Sequence, residues 1–193
     1  MEKNLQEIAK ALAVSAERTV TALTGEELFG APKARSVDLI TWYGKMKVFG
    51  WEKFHCPTYI SVIHFYKDKE RLRAQRSAGL MLLYVERGEA RRMLNSMGLE
   101  VRGEDINYDA VDSPGDRLLA DGCGELCNII AGAFKTELCG FGYPELLLSP
   151  PLNFINDVPE GLPYNQKSLF KYEISLPIGE REIICIDVLI PVL

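Results

Sequence analysis

The run Gly79-Leu80-Met81-Leu82-Leu83-Tyr84-Val85 is apolar at every position. A strand with one wet face alternates polar and apolar residues; this one has no polar face, so it suits burial on both sides of a sheet. It is far too short to cross a bilayer, which takes about 20 apolar residues. A chain built around such a strand needs cover on each face, and 193 residues are enough to supply it within one domain.

The flanking patterns show what kind of cover. Leu5, Ile8, Leu12, Ala16, Thr19, Val20 and Leu23 recur at three- and four-residue steps, which predicts a helix closed by Thr24-Gly25. Ser36 to Tyr43 and the β-branched and aromatic run Thr58 to Tyr66 read as strands. Lys67 to Gln75 reads as a charged turn or short helix, and Gly44 to Pro57 is aromatic and irregular, with no element assigned. Arg87 to Met97 reads as a short helix, Glu100 to Pro114 as a polar loop, and Gly115 to Leu138 as the longest helix. Glu145 to Ser149 reads as a strand, Asn153 to Gln166 as an exposed loop, and Ser168 to Leu176 and Glu182 to Ile190 as a terminal hairpin. Helices and strands mix without regular βαβ alternation. The expectation is a single α+β domain over 1–193 with a largely antiparallel sheet.

Several function classes are disfavoured. Twenty-two basic residues against 27 acidic ones give a net charge of −5, without the basic excess that nucleic acid or an anionic membrane requires. No leader pattern follows Met1-Glu2-Lys3-Asn4, so a cytoplasmic location is expected. The five cysteines, Cys56, Cys123, Cys127, Cys139 and Cys185, form no paired ladder and read as small buried hydrophobes in a reducing compartment. His55, Cys56 and His64 do not make up a four-ligand set, so no metal site is expected. Phosphate loops, dinucleotide fingerprints and the Gly-x-Ser-x-Gly elbow are absent, and no cofactor of its own is expected.

The positive signal is the longest helix. Leu119, Cys123, Leu126, Cys127, Ile130 and Phe134 fall on one face and must be core. The opposite face carries Asp121, Glu125, Asn128, Gly132 and Lys135. A glycine in a helix interior costs about 1 kcal/mol relative to alanine. Placed on the polar stripe beside Asn128, Gly132 suits a surface that another molecule approaches closely.

The spacing Asp121-x3-Glu125-x2-Asn128-x22-Pro151 resembles the signature of the CheC/CheX/FliY family of chemotaxis phosphatases. The run Gly124 to Leu138 is similar to that family's motif helix, with Gly-Glu, Asn-x-Ile-Ala-Gly and Lys-Thr in place. The resemblance is best over 37–192, and the N-terminal helix, 1–25, belongs with it. A single Glu-x-x-Asn helix points to the CheX-like branch. The implied fold is a mostly antiparallel sheet packed against two long helices plus a short one. The implied activity is hydrolysis of the aspartyl-phosphate on a CheY-like response regulator, in bacterial two-component signalling. On that resemblance Asn128 orients the attacking water and Glu125 pairs with the regulator's active-site lysine. Asp121, Gly132 and Lys135 face the partner, and Pro151 shapes a strand end. The regulator would bring the Mg²⁺, and the chain would pair with itself through strand edges. Two other readings stand beside this one: a non-catalytic regulator-binding module using the same helix face, and a small-molecule sensor whose segment Trp42 to Phe54 lines a pocket.

Overall fold

The computed structural model describes residues 2–25, 31–38, 44–100, 113–164, 169–178 and 181–191. The chain opens with helix α1 (Glu2–Thr24), strand β1 (Lys33–Asp38), strand β2 (Gly44–Met46), a one-turn helix α2 (Trp51–Phe54) and strand β3 (Thr58–Tyr66). Helix α3 (Lys69–Arg73), strand β4 (Gly79–Glu86), helix α4 (Arg87–Ser96) and the long helix α5 (Pro114–Gly140) follow. Short strands β5 (Leu147–Leu148), β6 (Leu152–Ile155) and β7 (Leu162–Tyr164) lead to β8 (Leu169–Ile178) and β9 (Arg181–Pro191).

The main sheet runs β1-β8-β9-β4-β3-β5, with β6 also on β3, and every pairing is antiparallel. β4 lies inside this order, as an all-apolar strand must. Its residues alternate between two cores. Met81, Leu83 and Val85 join the core shared with α1, α4 and α5, while Leu80, Leu82 and Tyr84 join a smaller core on the other face. The smaller core is roofed by Val48, Val158 and Leu162 from the β2–β7 ribbon and its flanks. The architecture is α+β, with α1, α4 and α5 on one face of a mostly antiparallel sheet and the one-turn α2 on the other.

At Gly79, β4 packs directly against the backbone of β9. A Cβ at this position would collide with the backbone carbonyl of Leu189. Backbone cannot swing aside as a side chain can, so Gly79→Ala should cost about 1–3 kcal/mol. A urea titration would register this as a lower midpoint with an unchanged slope. An unaltered midpoint would mean that β9 shifts freely.

Several expectations change. The segment Asn153 to Gln166 is not a plain exposed loop: its start belongs to β6, registered Val62↔Leu152 to Tyr59↔Ile155, and Leu162–Tyr164 forms β7 against β2. Strands of three or four residues are too short to show alternation, and their partners lie far away in sequence. The strand expected over Ser36 to Tyr43 starts earlier, at Lys33, while 39–43 lie outside the described residues. Glu145 to Ser149 contributes only the two-residue β5. Most of the loop expected over Glu100 to Pro114, namely 101–112, and the hairpin residues Gly179 and Glu180 also lie outside the described residues. Cys123, Cys127 and Cys185 are buried as expected of small hydrophobes, but Cys139 is exposed near the end of α5 and Cys56 is half-buried.

Candidate functional site: one face of the long helix

α5 is fixed at its start by a capping box. Ser113 Oγ accepts from the Asp116 backbone N–H at 3.2 Å, Asp116 Oδ2 accepts from the Ser113 N–H at 3.0 Å, and Pro114 occupies the first turn. Asp116 also accepts from Tyr59 Oη at 2.6 Å and from Arg87 Nε and an Arg87 terminal nitrogen at 2.8 and 2.9 Å. These bonds tie α5 to β3 and to the first turn of α4 inside the core. Burial would raise the Asp116 carboxyl, but the donors from Arg87, Tyr59 and Ser113 outweigh it and hold it down at about 2. Burial, reinforced by the Asp116 carboxylate, pushes the Tyr59 phenol well above its ordinary range.

Past this anchor the two faces of α5 separate as their periodicity requires. Leu119, Cys123, Leu126, Cys127, Ile130 and Phe134 are all fully buried. Asp121, Glu125 and Asn128 are exposed, and Gly132 and Lys135 are half-buried. A Cβ at Gly132 would meet nothing within 4 Å, so no internal contact requires glycine there. Lys135 Nζ pairs with Glu145 Oε1 at 3.1 Å, at the far end of the stripe. Pro151 is half-buried and stands immediately before β6, outside the stripe.

β6 crosses beside the stripe and brings a residue that periodicity did not reveal. Asn153 Nδ2 donates to Asp121 Oδ1 at 3.2 Å. The Asn153 amide lies over Gly124, where a Cβ would stand 2.6 Å from Oδ1 and 2.7 Å from Nδ2. Gly124 is therefore a glycine that close packing calls for, and Asp121 is held from the side rather than free. Leu118, Ile129 and Leu152 are also exposed here, at 46%, 42% and 48%. Leu118 precedes Asp121 by three and Ile129 follows Glu125 by four, so helical spacing already placed both on the polar stripe. Asn153 and Leu152 carried no such signal, since Asn153 opened what read as a loop and Leu152 stood just before it, in no assigned element.

The stripe offers an acid, an amide able both to donate and to accept, and an open glycine, framed by three apolar side chains. His64 is buried on β3 and burial lowers its pKa, while His55 ends α2. Among the described residues no group of three His, Cys, Asp or Glu is placed to hold a metal ion. Among the same residues, no helix is long and apolar enough to cross a membrane.

No family model and no curated protein matches the chain. Solved structures do. A protein assigned to chemotaxis from Desulfovibrio vulgaris Hildenborough is 16% identical, with a TM-score of 0.57 over 94% of this chain and 95% of its own. A CheC-like superfamily protein from Shewanella sp. PV-4 is 14% identical, with a TM-score of 0.53 over 98% of each chain. CheX from Borrelia burgdorferi, in a complex with CheY, beryllofluoride and Mg²⁺, is 16% identical, with a TM-score of 0.51 over 94% of this chain and 96% of its own. The chain therefore has the CheX/CheC-like fold that the motif helix implied.

Proposed function

We propose that the chain is a CheX-like phosphatase that hydrolyses the aspartyl-phosphate of a CheY-like response regulator. The observation that carries this reading is Glu125 and Asn128, one turn apart and both exposed, on a helix whose other face is locked in the core. The likeness to a CheX solved with CheY, beryllofluoride and Mg²⁺ supports it, since beryllofluoride imitates a phosphoryl group.

An acyl phosphate is already reactive, so its hydrolysis calls for positioning and charge neutralisation rather than a new nucleophile on the phosphatase. The regulator supplies the metal and its lysine. Glu125 pairs with that lysine and draws it from the phosphoryl oxygens. Asn128 accepts from the attacking water and donates to oxygen at the same time. An aspartate in its place would donate nothing and would repel the phosphoryl group. Asp121, held by Asn153, extends the negative face towards the partner, and Gly132 lets the partner's backbone approach. Lys135 lies at the end of the same face, and Pro151 sets the entry into β6. β1 ends the strand order, and self-association through that edge belongs to the same reading; sedimentation at several concentrations tests it.

The test of docking is a titration with a receiver domain, with and without beryllofluoride and Mg²⁺. Binding should tighten when both are present, and Glu125→Ala should weaken it about tenfold, as for one charge-assisted contact. Equal binding in both states would contradict the reading. Gly132→Ala separates packing from docking. With open space around the new methyl, the protein should gain about 1 kcal/mol in a thermal melt. Its affinity for the receiver domain should fall; unchanged affinity would place the partner elsewhere.

A further inference from the structure

The face of the sheet away from α5 holds a cavity of about 620 Å³, within the usual range of small-molecule sites, roughly 300–1,000 Å³. Its roof is the irregular aromatic segment, with Lys47, Val48, Phe49 and Lys53 among the lining residues. Its floor is a row across three strands, Arg35 on β1 opposite Glu173 on β8, and Glu173 opposite Asp187 on β9.

The hydrogen bonds of this floor are lopsided. Asp187 is buried, and its Oδ1 accepts from Lys53 Nζ at 2.8 Å. Its Oδ2 accepts from Lys171 Nζ at 3.2 Å and from Tyr84 Oη at 3.3 Å. Glu173 accepts from Lys171 Nζ at 2.7 Å through Oε1, and from Arg35 through Oε2. All four carboxylate oxygens are thus engaged. Each ammonium carries three N–H donors, of which these bonds use one on Lys53 and two on Lys171. Lys47, an exposed lining residue, makes no ion pair among the described residues. The described lining carries five cationic side chains against four anionic ones, although the chain as a whole is at −5. On the floor, surplus donors beside four engaged carboxylate oxygens suit an acceptor-rich anion, and Val48 and the exposed ring of Phe49 suit an apolar body beside it.

We propose that this cavity binds a small organic anion, with its charged group on Lys53, Lys171 and Lys47 and its apolar body against Val48 and Phe49. The site is separate from the motif face, which lies across the sheet.

Calorimetric titration of the full chain with benzoate, phenyl phosphate and the neutral benzamide tests this. Benzoate or phenyl phosphate should bind saturably and benzamide should not. Binding by benzoate alone makes the ligand a carboxylate, and binding by phenyl phosphate alone makes it a phosphate ester. Lys171→Met should abolish binding. Lys47→Glu breaks no ion pair of the described residues, so its fold is kept, and it should weaken binding about fivefold. Glu125→Ala with Asn128→Ala should leave binding unchanged. Failure of both anions to saturate, equal binding of benzamide, or full affinity in Lys47→Glu would overturn the proposal.

Discussion

Asp116→Ala should cost about 3–5 kcal/mol at neutral pH, the range for breaking a buried ion pair by removing one partner. The Arg87 side chain is 7% exposed and the Asp116 side chain 0%, so the variant leaves a buried guanidinium without its carboxylate. It also removes half of the capping box and the acceptor for Tyr59 Oη. β3, α4 and α5 loosen together, and α5 carries the motif face. The pH dependence follows from the depressed carboxyl. Its ordinary value is 3.8 and its folded value about 2, so the folded state favours the ionised form. This contribution is complete above about pH 4 and is lost as pH falls through the folded value. Urea titrations at pH 7 and at pH 2 measure both effects. The difference between wild type and Asp116→Asn should shrink at the lower pH. A constant difference would mean that the carboxylate charge does not stabilise the junction.

Asn128→Ala should reduce accelerated dephosphorylation by about 10² or more, the usual worth of a group that positions a proton-transferring water. Affinity for the regulator should change little, because Glu125 and the apolar frame of Leu118, Ile129 and Leu152 remain. Asn128→Asp separates shape from chemistry: it is nearly isosteric, yet it loses the amide donors and adds a charge that repels phosphate. It should be as inactive as the alanine variant. Glu125→Ala should act chiefly on the concentration needed for half-maximal rate. Saturating titrations against a phosphorylated receiver domain separate the two effects. Full activity in Asn128→Asp would remove the amide from the mechanism.

Long periodic elements were legible in the sequence. α1 and α5 fall where their apolar spacing placed them, because each presents enough residues to one core for the pattern to repeat, and β3 and β4 fall where their continuous runs placed them, because a core covers each face of the sheet. The same logic separates Leu119, Cys123 and Leu126 from Asp121, Glu125 and Asn128 by spacing alone. What stayed hidden depends on chain crossings. Asp116 and Arg87 lie 29 residues apart, and nothing local marks either as half of a buried pair. Asn153 meets Asp121 only because β6 pairs with β3 beside α5. The glycines of α5 divide in the same way. Gly132 stood out by its place on the stripe, whereas the role of Gly124 becomes visible only with Asn153 above it. The aromatic stretch after Gly44 had no period to read. It forms β2 and α2, the roof of the back-face cavity, with contacts that come from β7 and β9.

The central claim is that the Glu125–Asn128 face turns over an acyl phosphate rather than merely gripping its carrier. The most direct measurement is the decay of a phosphorylated receiver domain in excess over the chain, followed by loss of the phosphoryl label in Mg²⁺. Decay faster than self-hydrolysis, with many receivers dephosphorylated per chain, is the expected result. Binding of the phosphorylated receiver with decay unchanged from self-hydrolysis would contradict it.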